Sequence, residues 1–244
     1  MLIHGLGGTS AGIWRRLPDD LADEFTVVTF DLRGTGGSAR PPGPYSLDDF
    51  VGDLDAVVRS LALERPALVG HSFGGSIAVA YAARHPEVAA VVTAGGPVVL
   101  PEAGRQALRE RAETVEAAGM GPVAEPVATN ALAPSFREAH PDELRAYASL
   151  LGANDPAAYA ATCRVIAEVD LRPELARIAA PVLLIAGDGD GVTPPAAVDE
   201  IAAALRDVRR VEVPDAGHVL PWERPEVLRE EVRAFLRTTA SVTA

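Results

Sequence analysis

Short apolar runs and longer amphipathic stretches alternate along this chain. Runs rich in aliphatic and β-branched residues predict strands at Phe25–Asp31, Ala67–Gly70, Val88–Ala94, Pro181–Ala186 and Arg210–Val213. Stretches with apolar residues three and four positions apart predict helices at Asp48–Leu63, Ser76–His85, Ala196–Leu205 and Glu226–Phe235. Strands that alternate with helices indicate βαβ units. The sequence therefore predicts an α/β fold with a mostly parallel sheet and helices on both faces.

The segment from Val98 to Arg172 departs from this alternation. It contains helical patterns, such as Glu102–Ala118 and Pro141–Leu151, but no strand pattern. A connection of about 75 residues far exceeds an ordinary link between a helix and a strand. We therefore predict a helical cap, residues 98–172, over one edge of a core formed by residues 1–97 and 173–244. A solvated helical excursion is the alternative.

Composition and charge narrow the possible partners. The 244 residues are 48% hydrophobic and 23% charged, which is typical of a soluble globular protein, and the formal net charge is −12. Nucleic acid and anionic membranes are disfavoured as main partners, because both require clustered positive charge. The chain contains Arg but no Lys, which excludes Schiff-base, PLP-lysine and P-loop chemistry. The single cysteine, Cys163, excludes an internal disulfide and a cysteine-based metal site.

The sequence shows no targeting or membrane-spanning signal. The longest apolar stretch, Val88–Leu100, is too short to span a bilayer and is interrupted by Gly95-Gly96-Pro97. The first residues, MLIHGLGG, lack the basic start and the long apolar segment of a secretory signal. We therefore expect a cytoplasmic location.

The sequence Gly70-His71-Ser72-Phe73-Gly74 fits the pattern G-x-S-x-G. It follows a predicted strand and precedes a predicted helix, which is the context of a nucleophile elbow. Such a tight turn holds the serine in a strained conformation, and neighbours without side chains relieve the crowding. The motif indicates Ser72 as a nucleophile, although a turn that only redirects the chain would fit the same pattern.

A serine nucleophile needs a histidine base and an acid that orients the histidine. Among five histidines, His218 lies in the loop after the predicted strand Arg210–Val213, at the end where parallel sheets bind ligands. The acid is expected after another strand, between the serine and the histidine in the chain. The loop after Pro181–Ala186 offers two aspartates. We choose Asp190, deeper in the loop, with Asp188 as the second choice.

In order and spacing these motifs resemble the α/β-hydrolase superfamily. The likeness extends to residues 4–8 (HGLGG), which are similar to the family's oxyanion loop. The resemblance implies that the serine, aspartate and histidine chosen above form a catalytic triad. It also implies an oxyanion hole formed by the backbone N–H groups of Leu6 and Phe73, and chemistry that needs neither a metal nor an organic cofactor. The helical cap then precedes the strand that carries the acid.

A second glycine-rich segment permits another interpretation. Residues 34–39 (GTGGSA) fit the dinucleotide fingerprint G-x-G-x-x-A after a predicted strand. The next residues, Arg40-Pro41-Pro42-Gly43-Pro44, predict no helix, so they offer no helix N-terminus to a pyrophosphate. Nucleotide binding is therefore disfavoured.

Within the superfamily the chain resembles 3-oxoadipate enol-lactonases and related esterases. Five short segments carry this likeness: residues 42–46, 134–137, 160–163, 170–172 and 193–195. The two residues that flank the serine, His71 and Phe73, are more similar to those of broader esterases. The resemblance therefore supports ester or lactone chemistry and leaves the substrate open.

Four further residues are candidates for substrate contact. The enol-lactone of that family carries a carboxylate, so the resemblance implies a cation in the cap, with Arg137 and Arg164 as candidates; surface arginines are the alternative. Trp14 and Trp222 flank the oxyanion and histidine loops, where they either line the pocket or belong to the core.

The N-terminus departs from the family pattern. The superfamily has two strands and most of a third before its oxyanion loop, whereas this chain offers only Met1-Leu2-Ile3. We therefore expect the N-terminal strands to be missing, through a truncated or misassigned start or in a shortened natural form.

The preferred hypothesis is a serine hydrolase that cleaves a small ester or lactone through an acyl-enzyme, with an enol-lactone such as 3-oxoadipate enol-lactone as the candidate substrate. One alternative is a lyase or carbon–carbon bond hydrolase that uses the same serine and histidine. Another is a non-catalytic ligand-binding protein with the cap as a lid. The sequence specifies neither the acyl group nor the oligomeric state.

Overall fold

The computed structural model describes residues 1–241. These residues form a five-stranded parallel sheet in the order β1-β2-β3-β4-β5. Its strands are β1 (Leu2–Ile3), β2 (Ala67–His71), β3 (Ala90–Ala94), β4 (Val182–Gly187) and β5 (Val208–Val213). The predicted α/β fold with a parallel sheet is confirmed.

Helices follow the strands and fill the connections between them. Those before β3 are α1 (Ser10–Trp14), α2 (Leu17–Leu21), α3 (Leu47–Ser60) and α4 (Phe73–Ala82). Those between β3 and β4 are α5 (Glu102–Ala118), α6 (Gly121–Ala131), α7 (Pro134–Ala139), α8 (Pro141–Gly152), α9 (Pro156–Glu168) and α10 (Arg172–Leu175). The last three are α11 (Pro195–Ala204), α12 (Leu220–Glu223) and α13 (Pro225–Ser241).

Local sequence explains where α3 begins and how it packs. The Ser46 hydroxyl accepts from the backbone N–H of Asp49, and the Asp49 carboxylate accepts from the N–H of Ser46, which forms a capping box. Phe50 and Leu54, four positions apart, point into the core. The predicted helix at Asp48–Leu63 is therefore present with slightly shifted ends.

The sheet separates two hydrophobic clusters. Successive side chains of β3 belong to different clusters: Val91 to the one that contains Phe50 and Ile77, and Val92 to the one that contains Trp14 and residues of α13. This alternation follows from the two-residue period of a strand, and both faces are buried because helices cover each.

One predicted strand is wrong. Phe25–Asp31 forms no regular strand; it contributes a single bridge, between Thr29 and Leu2, and the Val28 carbonyl accepts from the N–H of Leu2. Within residues 1–241 its only strand partner is β1, which is two residues long and cannot support a longer ladder. No helix begins between residue 34 and the start of α3 at Leu47, as predicted for this glycine- and proline-rich segment.

The chain between β3 and β4 is helical, as predicted, and we call residues 98–172 the helical segment. Within it α5 packs along α9, and α6 packs against α8. An isolated antiparallel bridge between Val99 and Asp170 joins its two ends. In the described part of the chain no helix is both long enough and apolar enough to cross a bilayer.

Candidate active site

Ser72 lies at the turn between β2 and α4. Its φ is 53° and its ψ is −124°, so a residue with a side chain occupies a region that favours glycine. The turn is tight enough that a Cβ on Gly74 would collide with the carbonyl of Ile3 on β1. The backbone at Ser72 therefore forms the tight turn that the pattern G-x-S-x-G predicts for a nucleophile elbow.

Three side chains distant in sequence form one hydrogen-bonded chain. The Ser72 hydroxyl and His218 Nε2 are 2.8 Å apart, and His218 Nδ1 lies 2.9 Å from Asp190 Oδ2. The carboxylate can only accept, so Nδ1 carries the hydrogen and Nε2 is free to accept from the hydroxyl. The structure thus brings together the serine, aspartate and histidine chosen from the sequence.

The two aspartates of the loop after β4 have different surroundings. Asp190 is buried, and its second oxygen accepts from the backbone N–H groups of Val192 and Thr193 at 2.8 and 2.9 Å. Asp188 is exposed, and its carboxylate lies 3.4 Å from the N–H of Ala216. Asp190 is therefore the aspartate that reaches His218, and Asp188 is not.

Charge and burial act in opposite directions on this pair. Burial alone would raise the pKa of Asp190, but the charge of His218, its hydrogen bond and the two backbone donors outweigh burial, and the pKa lies below its usual value. Burial would lower the pKa of His218, but Asp190 and the more distant Glu223 raise it above its usual value. The pair therefore favours an ionised aspartate and an imidazole that readily accepts a proton.

Two further histidines are buried beside the site and remain neutral. His71 Nε2 donates to the carbonyl oxygen of His218 at 3.0 Å, and burial lowers the pKa of His71 to about 3. His4 Nδ1 donates to the carbonyl of Gly5, its Nε2 accepts from the N–H of Leu32, and burial lowers its pKa to about 4. Both hold loops in place and do not serve as bases at neutral pH.

The backbone N–H groups of Leu6 and Phe73 have no acceptor within the described residues. Both residues line the same cavity as Ser72. Phe73 is the first residue of α4, where helix N–H groups are unpaired and the helix dipole favours negative charge. A Cβ on Gly5 would lie 2.7 Å from Ser72 Cβ, so the loop that carries Leu6 adjoins the serine. These are donors of the kind that an oxyanion hole needs.

A cavity of about 390 Å³ opens above Ser72 and His218. Its walls are mostly apolar, with Leu100, Leu108, Val127 and Ile166 contributed by the helical segment. This volume lies in the range of sites for small molecules.

The four residues expected to contact the substrate lie outside this cavity. Trp14 is buried in the core, with its ring edge-on to His71. The Trp222 indole N–H donates to the carbonyl of Gly12, and its ring packs against Tyr147 and the Arg15 guanidinium. Both tryptophans therefore belong to the hydrophobic core and do not line the pocket.

The two cap arginines also have other partners. Arg137 donates to the carbonyl oxygen of Thr129, and Arg164 forms an exposed ion pair with Glu116. Each guanidinium binds a partner that lies outside the cavity, and neither arginine lines the cavity.

Sequence reasoning missed the cation that does line the cavity. Arg111, on α5, is the only Arg, Asp or Glu among the described lining residues, and it forms no ion pair with any carboxylate of residues 1–241. Next to it lies Tyr159 of α9, whose hydroxyl is buried. Burial raises the pKa of Tyr159 to about 12, although the charge of Arg111 opposes this rise. The spacing in α5 was the signal that could have indicated this position: Arg111 follows Leu108 by three residues, so both lie on the same face of the helix, and Leu108 is buried.

The described part of the chain offers little support for a metal site or a cysteine nucleophile. It contains no group of three or more His, Cys, Asp or Glu side chains placed to hold a metal ion. Cys163 is a buried free thiol, and burial raises its pKa to about 12, so it is a poor nucleophile.

Comparison with known proteins agrees with this geometry. A family profile described as alpha/beta hydrolase fold matches residues 1–225. The chain is 32% identical over 231 residues to 3-oxoadipate enol-lactonase 2 of Acinetobacter baylyi, covering 94% of this chain and 85% of that protein. It superposes on the enol-lactonase of Burkholderia xenovorans LB400 with a TM-score of 0.92 at 30% identity, covering 97% of this chain and 90% of that one. A thermophilic esterase from Thermogutta terrifontis, solved with malate bound, gives a TM-score of 0.91 at 28% identity and coverages of 98% and 89%.

Proposed function

The chain belongs to the α/β-hydrolase fold family, and from that premise we propose that it is a serine hydrolase that cleaves a small carboxylic ester or lactone through an acyl-enzyme. The hydrogen-bonded chain from Ser72 through His218 to Asp190 is the observation that carries the proposal. Each member has the donor or acceptor that the chemistry requires.

In the first half of the proposed reaction, Ser72 Oγ attacks the substrate carbonyl carbon while His218 Nε2 takes the hydroxyl proton. The imidazolium that forms is stabilised by the ionised Asp190. The carbonyl oxygen gains negative charge and accepts from the N–H groups of Leu6 and Phe73; losing one such donor typically costs about 3–4 kcal/mol of transition-state stabilisation. The carbon–oxygen bond to the leaving group then breaks, and His218 gives its proton to the leaving oxygen.

In the second half, water replaces the leaving group. His218 removes a proton from this water as its oxygen attacks the acyl carbon of the Ser72 ester. The second tetrahedral intermediate collapses, the proton returns to Ser72 Oγ, and the carboxylic acid is released. No step calls on a metal or an organic cofactor.

The helical segment has the placement of a cap in this scheme. Its helices provide most of the apolar wall above Ser72, and apolar walls exclude water from the developing charge. We assign residues 98–172 this role and residues 1–97 and 173–244 the catalytic core.

For the substrate we favour an enol-lactone that carries a carboxylate, such as 3-oxoadipate enol-lactone. The relatives named for this activity support the lactone, and an esterase of the same fold is described with malate, a dicarboxylate, bound. Arg111 has no carboxylate partner among residues 1–241, and it lines the cavity that also holds the nucleophile, so it could bind a substrate carboxylate without first breaking an ion pair.

Replacing the nucleophile tests the reaction. Ser72→Ala should lower turnover of aryl esters and lactones by about three to six orders of magnitude. It should also abolish labelling by a fluorophosphonate probe, whereas Ser60→Ala, on the exposed end of α3, should keep both. Wild-type turnover by Ser72→Ala would refute the assignment.

Replacing the cavity cation tests the substrate. Arg111→Gln should raise KM for the enol-lactone about 10- to 100-fold, the range expected for one charged hydrogen-bonding partner, and leave neutral aryl esters nearly unchanged. Arg164→Gln, a cap arginine outside the cavity, is the control and should match the wild type. Equal effects of Arg111→Gln on charged and neutral substrates would show that it does not select the carboxylate.

A further inference from the structure

A buried carboxylate lies behind the loop that carries His218. Glu223, the last residue of α12, is 4% exposed. Its Oε2 accepts from the backbone N–H groups of Ala133 and Gly217, both at 2.8 Å, and its Oε1 accepts from the N–H of Val219 at 2.9 Å. Two of these donors are the residues on either side of His218, and the third belongs to the helical segment.

The loop and the helical segment are in direct contact at this point. The His218 N–H donates to the carbonyl oxygen of Ala131 at 2.8 Å. A Cβ on Gly217 would lie 2.6 Å from the nitrogen of Ala133 and 2.7 Å from the oxygen of Ala131, so the two backbones leave no room for a side chain. Any displacement of residues 131–133 would therefore be transmitted to the residues that hold the imidazole.

Burying a carboxylate is costly unless donors compensate for the lost water. The N–H groups of the loop do not require a charged acceptor, because neutral side chains or waters commonly accept from such groups. An anion that binds both neighbours of His218 and a residue of the helical segment fixes three backbone positions with one rigid group.

We propose that Glu223 is a positioning residue, which ties the histidine loop to the helical segment and so keeps the imidazole between Ser72 and Asp190. This inference rests on the proposed function, in which His218 is the base. Glu223 itself touches neither the serine nor the cavity above it.

Two measurements distinguish a positioning role for Glu223 from a role in fold stability alone. A displaced imidazole lowers kcat while substrate binding, which depends on the cavity walls, is retained. The charge of Glu223 also acts on His218, which is faced by Asp190 from the loop after β4, by His71 from the elbow and by Glu223 from α12. Of these, His71 is neutral, so removing the Glu223 charge leaves Asp190 as the remaining anion and lowers the pKa of His218.

The test compares two variants of Glu223 with a nearby control. Glu223→Gln keeps the shape but removes the charge, and its amide N–H₂ would face at least one N–H donor. Glu223→Asp keeps the charge but shortens the reach. Glu226→Gln, exposed three residues later in α13, is the control. Far-UV circular dichroism and thermal melting establish folding, after which kcat, KM and the pH dependence of kcat/KM are measured on an aryl ester.

We expect Glu223→Gln to lower kcat about 10- to 100-fold, as for a catalytic group misplaced by about 1 Å, and to change KM less than about threefold. The acid limb of kcat/KM should move to lower pH in Glu223→Gln and move less in Glu223→Asp, which should also lose kcat. A kcat within about twofold of the control, or an unchanged acid limb in Glu223→Gln, overturns the proposal. If Glu223→Gln does not fold, Glu223→Asp decides: wild-type kcat overturns it and a kcat loss with KM retained supports it.

One readout is independent of turnover. The His218 imidazole can be titrated by NMR of histidine-labelled protein without substrate, and its pKa should be lower in Glu223→Gln than in the wild type. Wild-type protein that hydrolyses no ester would count against the proposed function, while an unchanged His218 pKa would count against Glu223.

Discussion

Asp188 and Asp190 show how strongly the role of a residue depends on its immediate partners. The two are identical side chains separated by one glycine in a single loop. Asp190 points inward, where two backbone N–H groups and His218 surround it, and Asp188 remains in solvent. Backbone donors orient the Asp190 carboxylate before any substrate arrives, which is how a rigid site avoids reorganisation during the reaction.

This difference predicts a large contrast between matched substitutions. Asp190→Asn should lower kcat about 10⁴-fold, because an amide can present N–H₂ to His218 and stabilise the wrong tautomer. Asp188→Asn should stay within about threefold of the wild type, since its carboxylate is exposed and accepts from the backbone N–H of Ala216 at 3.4 Å. Steady-state kinetics on an aryl ester, with circular dichroism for folding, measures both. A similar loss in both variants would mean that the loop, and not the carboxylate of Asp190, is required.

At this scale the sequence predicted which three polar side chains meet above the sheet edge, and it missed two charged residues near them. Ser72, Asp190 and His218 were predictable because each follows a strand and their chain order matches a known pattern. Arg111 and Glu223 were not, since Arg111 lies in a helix with several other charged residues and Glu223 is followed closely by Arg224 and Glu226. Only packing decides which of those side chains turns inward. Arg137 and Arg164 were chosen because the resemblance implies a cation in the predicted cap, and a place in the cap does not reveal that Thr129 and Glu116 already bind them.

The shape of the elbow depends on glycine residues, which have no side chain. Ser72 adopts a positive φ, which costs on the order of 1–3 kcal/mol, and the neighbouring chain must pack closely enough to maintain it. The close approach of β1 to the start of α4, at Ile3 and Gly74, is part of that packing. A side chain at position 74 would separate these two elements.

Two glycine-to-alanine substitutions in helices should therefore have opposite effects. Gly74→Ala should reduce the free energy of unfolding by about 3 kcal/mol or more, because the new methyl group collides with the Ile3 carbonyl. Gly52→Ala, within α3 and with nothing within 4 Å of the new Cβ, should increase it by about 0.5–1 kcal/mol. Urea unfolding curves measure both. A stable, active Gly74→Ala variant would show that the elbow relaxes more easily than its contacts imply.

Element type was easier to predict than pairing. The helices α3, α5, α8 and α13 have strong apolar periodicity or clear caps, so their existence followed from local sequence. Phe25–Asp31 has the composition of a strand, but a strand also needs a partner of sufficient length, and β1 provides two residues. Pairing is a property of the whole sheet, and local sequence does not contain it.

At the scale of the whole molecule, the parallel sheet gathers the site. The loops after β2, β4 and β5 carry Ser72, Asp190 and His218, and parallel strands place their carboxyl ends on one edge. The same arrangement buries His71 between the elbow and the histidine loop, where it donates to the His218 carbonyl. Assembly of the site therefore forces an ionisable side chain into the interior.

This burial predicts a pH dependence of global stability. The pKa of His71 is about 3 in the folded state against 6.5 when unperturbed, so the unfolded chain binds a proton that the folded chain refuses. The contribution of His71 to stability is therefore complete above pH 6.5 and is lost as the pH falls, by up to about 1.4 kcal/mol per pH unit. His71→Gln, which can still donate to the His218 carbonyl but does not titrate, should show a correspondingly smaller loss between pH 6 and 5.

Urea unfolding of the wild type and the variant at several pH values measures this difference directly, and contributions from all other groups cancel in the comparison. His140→Gln, which removes an exposed histidine at the start of α8, should keep the wild-type slope. Parallel stability curves for His71→Gln and the wild type would mean that the folded protein accommodates a proton on His71, through water entry or local opening at the elbow. The buried hydrogen bond between His71 and the histidine loop would then be weaker than its 3.0 Å length indicates.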